Sequence, residues 1–137
     1  QLLEPALRLV VEESRSMSRR DYQQATADRA AYGAGMKAFM QTYDLLVTPM
    51  IAVPPFDTPQ VTPLTPNGTL WMEWTPFTYP FNLTQQPAAS VPCGFTQAGL
   101  PVGLQIVGRH GDDERVLQAS FALEQLLQLQ PAHPAGY

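Results

Sequence analysis

Residues 82–108 read NLTQQPAASVPCGFTQAGLPVGLQIVG, and this stretch decides the fold of the chain. It holds two apolar runs, Ala88–Cys93 and Val102–Val107, each with the length of a buried strand. The residues from Gly94 to Pro101 can reverse the chain, so the simplest prediction is an antiparallel pair, although a crossover connection stays open. Because neither run alternates cleanly with polar residues, both faces of these strands need cover.

The same stretch resembles a motif of a known family. The matching positions are Asn82, Pro87, Ala88, Ser90–Pro92, Gly94 and Gly99–Gly108, which follow the pattern N-x-x-G-x-P-A, S-V-P-x-G and G-L-P-V-G-L-Q-I-V-G. This pattern is similar to the C-terminal part of the amidase signature family. Upstream, Tyr43–Pro49 is similar to the family's fDvlltP strand. Gln85 stands where the family usually has glycine, and the meaning of this departure stays open.

The resemblance implies an α/β fold. It corresponds to the C-terminal part of the amidase signature fold, a mixed sheet flanked by helices, with about three strands and three to four helices in this chain. The length of 137 residues suits one domain, so residues 1–137 are predicted to form a single partial domain.

Charge and composition exclude several classes of function. The net charge is −4 and no basic stripe is present, which argues against a nucleic-acid surface. The single cysteine rules out an internal disulfide and gives no sign of an oxidising compartment. No apolar run approaches the length of a membrane span. We therefore predict a cytoplasmic location with neither a nucleic acid nor a membrane as partner.

Local signals place the remaining elements. Helical spacing predicts helices over residues 2–13, 19–42 and 113–129, and a shorter one over 72–82; residues 45–48 form a short strand. Ser18 and Asp21 are typical of a capping box at the start of the second helix. Gly33 and Gly35 lie inside that helix, where we expect them to permit close packing against another element. The acids Asp112–Glu114 suit the N-terminus of the last helix.

Two segments are predicted to lack regular structure. Residues 49–70 form a proline-rich loop, with six prolines between Pro49 and Pro66. A long loop of this kind is either a lid or pocket wall or a stiff connection without a task, and the sequence favours neither. Residues 131–137 are expected to be a frayed tail.

The sequence contains few candidate catalytic groups. Cys93 with His110 as its base is one conceivable pair, but a thiol at the end of an apolar strand is usually an inert hydrophobe. Lys37, the single lysine, has no serine near it in sequence. The two histidines lack metal-ligand spacing with Cys93 or the acids, and no phosphate or dinucleotide motif is present. The sequence therefore predicts no catalytic residue, no metal site and no cofactor.

The family resemblance explains this scarcity. Amidase signature enzymes share a Ser–cis-Ser–Lys triad carried by a lysine segment and a Gly/Ser-rich stretch, and neither segment occurs in residues 1–137. The resemblance implies an enzyme that hydrolyses a carboxamide C–N bond, with the triad outside this chain and the chain inactive by itself. The alternative is a non-catalytic subunit or binding domain that completes an active site or binds a partner chain, with an exposed sheet edge as its contact.

The resemblance also implies where a small-molecule amide substrate lies. The loop after Pro49 and the aromatic stretch before Asn82 fall near the pocket mouth, so Trp71, Trp74 and Phe77 are predicted to bind substrate. Related amidotransferase subunits that use glutamine carry an acid about where Thr75 stands. An uncharged side chain does not pair a substrate ammonium, which makes glutamine-dependent transamidation the less favoured activity.

Overall fold

The computed structural model describes residues 5–57 and 74–129. These residues form three strands and four helices: α1 (Pro5–Ser14), α2 (Arg19–Phe39), β1 (Leu46–Pro49), α3 (Tyr79–Thr84), β2 (Ala88–Phe95), β3 (Pro101–Val107) and α4 (Asp113–Leu127). The predicted α/β class and the predicted number of elements are confirmed.

The three strands form one antiparallel sheet in the order β1-β3-β2. The predicted antiparallel pairing of β2 with β3 is therefore confirmed. At the centre of the sheet, Gln105 of β3 lies opposite Thr48 of β1 and Ser90 of β2. A register shift between Pro92 and Gly94 places a bulge at the end of β2, beside the turn that leads into β3.

Alternation along β3 divides the sheet into two faces. The helix face carries Ala89, Val91, Leu104 and Ile106, with Val91 and Ile106 almost fully buried. α4 packs mainly against β2. The cleft face carries Thr48, Ser90, Gln105 and Val107. The segment before α3 lies on this face, since the Gln105 side chain donates a hydrogen bond to the backbone carbonyl of Phe77. As the central strand, β3 is the most deeply buried of the three.

The N-terminus of α2 forms as predicted. Ser18 Oγ accepts the Asp21 backbone N–H at 3.2 Å, and Asp21 Oδ2 accepts the Ser18 backbone N–H at 3.0 Å. These two bonds complete the capping box. The helix ends at Phe39, earlier than the predicted Thr42, and Met40 is its C-cap.

The body of α2 differs from the prediction because it lies open. None of its residues is buried, and Tyr32 and Phe39 on its apolar face are each more than 40% exposed. A Cβ placed on Gly33 or Gly35 would meet no atom of the described residues within 4 Å. The expectation that this glycine pair permits close packing is therefore wrong for the part of the chain that the structure describes.

Of the two later helices, α4 lies close to its prediction, and α3 begins later than predicted. α3 begins at Tyr79 and not near residue 72. Pro80 lies in its first turn, where a backbone N–H would have no partner within the helix, so the missing N–H of proline costs nothing. On α4, the inward face consists of one buried position, Val116, and four half-buried ones, Ala119, Ser120, Leu123 and Leu127. The helix ends at Leu127, and its C-cap Gln128 has left-handed backbone.

Parts of two predicted segments lie outside the described residues. Residues 50–57 of the predicted proline-rich loop contain neither helix nor strand, and residues 58–73 are not described. The predicted tail, residues 131–137, is not described either. Within the described residues, β1 and β2 are the edges of the sheet, and no further strand pairs with either edge.

Candidate functional site

The candidate site is a depression on the cleft face of the sheet, which we call the sheet cleft. It consists of a hollow of about 500 Å³ beside the loop after β1 and a smaller hollow of about 230 Å³ beside α3. Met50 and Ser90 line both hollows, so the two adjoin. The larger hollow is bounded by Pro49–Pro55, and its walls are mostly apolar. A cleft with apolar walls and few polar groups is typical of a small-molecule site.

The floor of the sheet cleft depends on a glycine. A Cβ on Gly103 would lie 2.9 Å from Ser90 Oγ and 3.1 Å from Met50 Cβ. The backbone N–H of Met50 donates to the Gly103 carbonyl at 3.1 Å, which continues the ladder of β1 beyond Pro49. Glycine at this position therefore lets the chain leaving β1 pass directly over β3, and this passage forms the wall of the larger hollow.

Gln105 is the polar residue that sequence reasoning missed. It is 3% exposed, and its Nε2 donates to Thr48 Oγ1 at 2.9 Å and to the Phe77 carbonyl at 2.7 Å. It also lines the smaller hollow. The sequence did contain a signal for this residue, namely a single glutamine inside the apolar run VGLQIV. A polar side chain in such a buried strand needs hydrogen-bond partners from other elements.

The structure describes two of the three predicted substrate residues. Trp71 lies outside the described residues. Trp74 makes an edge-on contact with Phe56, with ring centroids 5.3 Å apart, and its carbonyl accepts the Ala52 N–H at 3.3 Å. Phe77 contacts the sheet through its carbonyl. Neither Trp74 nor Phe77 lines the two hollows, whereas Thr78 and Phe81 from the same stretch line the smaller one.

A separate hollow, the helix cleft, lies between α2 and the end of β3. Its volume is about 660 Å³, and its lining includes Lys37, Arg109 and His110 but no serine. Arg109 Nε donates to the carbonyl of Met40 at 2.8 Å and more weakly to that of Tyr43, and its Nη2 pairs with Asp44 at 3.1 Å. Because these donors are engaged with the end of α2 and with Asp44, Arg109 fixes the wall of the helix cleft.

The conceivable Cys–His pair is not assembled. Cys93 lies at the bulged end of β2, and its Sγ makes a long contact of 3.5 Å with the Val102 carbonyl. His110 follows the opposite end of β3, near the residue that pairs with Ala88. Ala88 and Cys93 are five residue steps apart along β2, which corresponds to about 17 Å. His110 therefore cannot serve as the base for Cys93 in this arrangement.

Two further observations concern ligands and membranes. Over residues 5–57 and 74–129, no three His, Cys, Asp or Glu side chains come together as a metal site would require. Of the helices in the same residues, none has both the length and the apolar content needed to cross a bilayer.

Comparison with known proteins decides the family. The family model described as Amidase matches residues 1–117. The chain belongs to the amidase signature family. An acylamidase of Rhodococcus erythropolis is 37% identical over 119 residues, covering 84% of this chain and 25% of the relative. A glutamyl-tRNA(Gln) amidotransferase subunit of Chlamydia pneumoniae is 33% identical over 116 residues, covering 85% of this chain and 23% of the relative.

A solved structure supports the same conclusion. The crystal structure of a bacterial aryl acylamidase of the amidase signature family superimposes with a TM-score of 0.79 and 28% identity over 90% of this chain and 26% of the other. The antiparallel sheet and its helices are therefore part of the amidase signature fold. The chain spans about a quarter of the length of the relatives it matches.

Proposed function

We propose that residues 1–137 form part of the scaffold and of the substrate cleft of an amidase that hydrolyses a carboxamide C–N bond. The observation that carries the proposal is the family motif 82–108 folded as β2 and β3, with the sheet cleft on their open face. The acylamidase and aryl acylamidase similarities support amide hydrolysis as the reaction. A cytoplasmic location and a small-molecule amide as partner belong to the same proposal.

The catalytic residues are proposed to lie outside this chain, as a Ser–cis-Ser–Lys triad. In support, the conceivable nucleophile Cys93 is separated from His110, and Lys37 lines a cleft without a serine. In such a reaction the nucleophile attacks the amide carbonyl, the amine leaves, and water releases the acyl group from the enzyme. Residues 1–137 contribute the position of the substrate rather than the bond-breaking groups.

Trp71, Trp74 and Phe77 remain the proposed aromatic contacts of the substrate. Trp74 and Phe77 lie on the segment that overhangs the sheet cleft, and Phe56 supports Trp74 from the loop after β1. Aromatic side chains supply large apolar contact area at such a mouth. For an amide substrate, these contacts would hold the apolar part of the acyl or amine group.

A second candidate is a non-catalytic subunit or binding domain. The unpaired edges of β1 and β2 in the described sheet favour it, because an exposed edge readily pairs with another strand. The similarity to an amidotransferase component points the same way, since that protein is named as a subunit. Thr75 still disfavours glutamine as the substrate, because its uncharged side chain cannot pair an ammonium group.

The test compares two proteins: the polypeptide in which residues 1–137 naturally occur, and the 137-residue chain alone. Each is incubated with acyl anilides, primary carboxamides and glutamine, and release of aniline or ammonia is measured. An acyl-enzyme trapped with an active-site acylating reagent is then mapped by peptide mass spectrometry. We expect turnover only in the natural polypeptide, with the adduct outside residues 1–137. An adduct on any residue between 1 and 137 would overturn the assignment.

A further inference from the structure

The strongest unexplained feature is the buried amide of Gln105. Its Nε2 makes two hydrogen bonds, donating to Thr48 Oγ1 at 2.9 Å and to the Phe77 carbonyl at 2.7 Å. The carbonyl oxygen of Phe77 only accepts hydrogen bonds, so the NH₂ side of the amide must face it. The orientation of the Gln105 side chain is thereby fixed by its partners.

The bond to Phe77 crosses from the sheet to the aromatic segment, residues 74–78. At the far end of α3, Gln86 Nε2 donates to the Gly108 carbonyl at 2.9 Å and its Oε1 accepts from Thr84 Oγ1 at 2.8 Å. Gln105 therefore joins the segment 74–84 to β3 at Phe77, and Gln86 joins its end at Thr84 to Gly108, the residue that follows β3. The smaller hollow of the sheet cleft lies between them, with Thr78 and Phe81 on one side and Ser90 on the other.

Burial alone does not require glutamine at this position. Replacing a buried polar side chain and its hydrogen-bond partners together by apolar groups of similar shape changes stability little. Replacing the polar side chain alone leaves its buried partners without a hydrogen bond, which is costly. Leucine at residue 105 would leave the Phe77 carbonyl and the Thr48 hydroxyl without this donor. Glutamate would place a carboxylate oxygen against the Phe77 carbonyl oxygen. The amide thus fixes a distance between two elements that an apolar contact would leave adjustable.

We propose that Gln105 is a positioning residue that holds the aromatic segment 74–78 at a fixed height above the cleft face and so sets the width of the substrate cleft. This inference rests on the proposed amidase function for its kinetic consequence, but the tie between Gln105 and the segment is independent of it. Gln105 acts through the Phe77 carbonyl and does not need to touch the substrate itself.

Loss of the tie has a distinctive kinetic consequence. A cleft wall that contacts the non-reacting part of the substrate stabilises the ground state and the transition state equally, so its loss raises KM and leaves kcat unchanged. Without the tie, substrate binding must order a wall that Gln105 otherwise holds in place, so the free energy of the lost hydrogen bond limits the rise in KM to about tenfold for a bond of ordinary strength. General loss of folded enzyme would instead lower the apparent kcat and leave KM unchanged.

The experiment uses the natural polypeptide with Gln105→Leu, and Thr48→Val as the matched control. Thr48→Val removes the other acceptor of the same amide but keeps the bond to Phe77. Each protein is measured for kcat and KM on an acyl anilide and for deuterium uptake of the peptides that cover 74–84 and 88–95. We expect Gln105→Leu to raise KM about tenfold with kcat within about twofold, and to increase uptake in 74–84 but not in 88–95. Thr48→Val should leave KM and both uptake values near those of the wild type.

The outcomes separate this inference from the proposed function. Unchanged uptake in 74–84, an equal effect of Thr48→Val, or a fall in kcat at constant KM would each overturn the positioning role. If the wild type turns over no amide, the proposed function fails, while the uptake measurement still tests whether Gln105 holds the segment. If Gln105→Leu does not fold, Gln105→Asn replaces it, because its amide is one methylene shorter and cannot span the same distance.

Discussion

β3 and α2 show opposite relations between apolar sequence and burial. Gln105, Ile106 and Val107 of β3 are each at most 3% exposed, and the strand has neighbours on both sides. α2 is three times as long, yet none of its residues is buried. β3 therefore depends on contacts with other elements, whereas α2 depends mainly on its own backbone hydrogen bonds and its cap. Its tertiary contacts are with α3 and include the bond from Arg29 Nε to the Leu83 carbonyl at 2.8 Å. Substitutions in the two elements should act through different physical terms.

The largest effect is expected for a truncation in β3. Ile106→Ala removes methyl groups from a side chain that is 3% exposed, and it should lower the free energy of unfolding by about 2–5 kcal/mol. Leu117→Ala is the matched control on α4, where the side chain is 67% exposed, and it should change stability by less than about 0.5 kcal/mol. Urea denaturation measures both. Equal losses would mean that Leu117 is covered in the intact protein.

The next effect is expected where β3 meets the start of α4. A Cβ on Gly108 would lie 2.6 Å from Val116 Cγ2 and 3.2 Å from the Asp112 carbonyl oxygen. Gly108→Ala should therefore overpack this junction and cost about 1–3 kcal/mol in denaturant unfolding.

The control for this prediction is a double-mutant cycle. Val116→Ala removes the Cγ2 atom that the new methyl group would meet, so Gly108→Ala should cost less in the Val116→Ala background than in the wild type. Additive losses would show that the collision with Val116 is not the cause, and would point to the backbone contact with Asp112.

The contrast between β3 and α2 also explains what could be predicted from the sequence. The antiparallel pairing of β2 with β3 followed from two apolar runs and a turn, and the start of α2 followed from Ser18 and Asp21. These features depend on residues that are close in sequence. The order β1-β3-β2 was not predicted, because it depends on which strand β1 joins across the long segment between Pro49 and Pro101.

The candidate site was less accessible to sequence reasoning than the fold. The loop after Pro49 was expected near a pocket mouth on the strength of the family resemblance, and its described part does line a hollow. Gln105 was overlooked because its partners, Thr48 and the Phe77 carbonyl, come from two distant segments. A backbone carbonyl has no signature in the sequence, so the pairing needed three-dimensional contacts. Whether Trp71, Trp74 and Phe77 contact substrate stays a prediction.

A smaller effect of opposite sign is expected in α2. Gly35 lies inside the helix, and a Cβ there would meet no described atom within 4 Å. Gly35→Ala should therefore raise the free energy of unfolding by about 0.5–1 kcal/mol, because alanine loses less backbone entropy on folding.

Gly111→Ala is the matched control for Gly35→Ala. Its Cβ would also find open space, but the φ of +80° at Gly111 disfavours any L side chain, so this variant should lose stability in thermal or urea unfolding. A loss for Gly35→Ala as well would show that α2 packs against residues beyond the described part of the chain. The contrast between an open α2 and a buried β3 would then not hold for the intact protein.

The smallest effect is expected for the capping box of Ser18 and Asp21 at the start of α2. Hydrogen bonds from the Ser18 hydroxyl, and then from the Ser18 backbone N–H, lower the pKa of Asp21 below its usual 3.8. Because the pKa is lowered in the folded state, the carboxylate stabilises the helix above the unfolded-state pKa, and this contribution is lost as the pH falls through the folded-state pKa. Ser18→Ala removes the hydroxyl and should raise the pKa of Asp21 towards 3.8, as measured by a carboxyl ¹³C NMR titration.

Ser16→Ala is the control. The Ser16 hydroxyl donates to the Glu13 carbonyl, so its loss should leave the titration of Asp21 unchanged. An unshifted pKa of Asp21 in Ser18→Ala would show that the bond from the Ser18 hydroxyl does not stabilise the carboxylate, and that this bond is not what supports the start of α2.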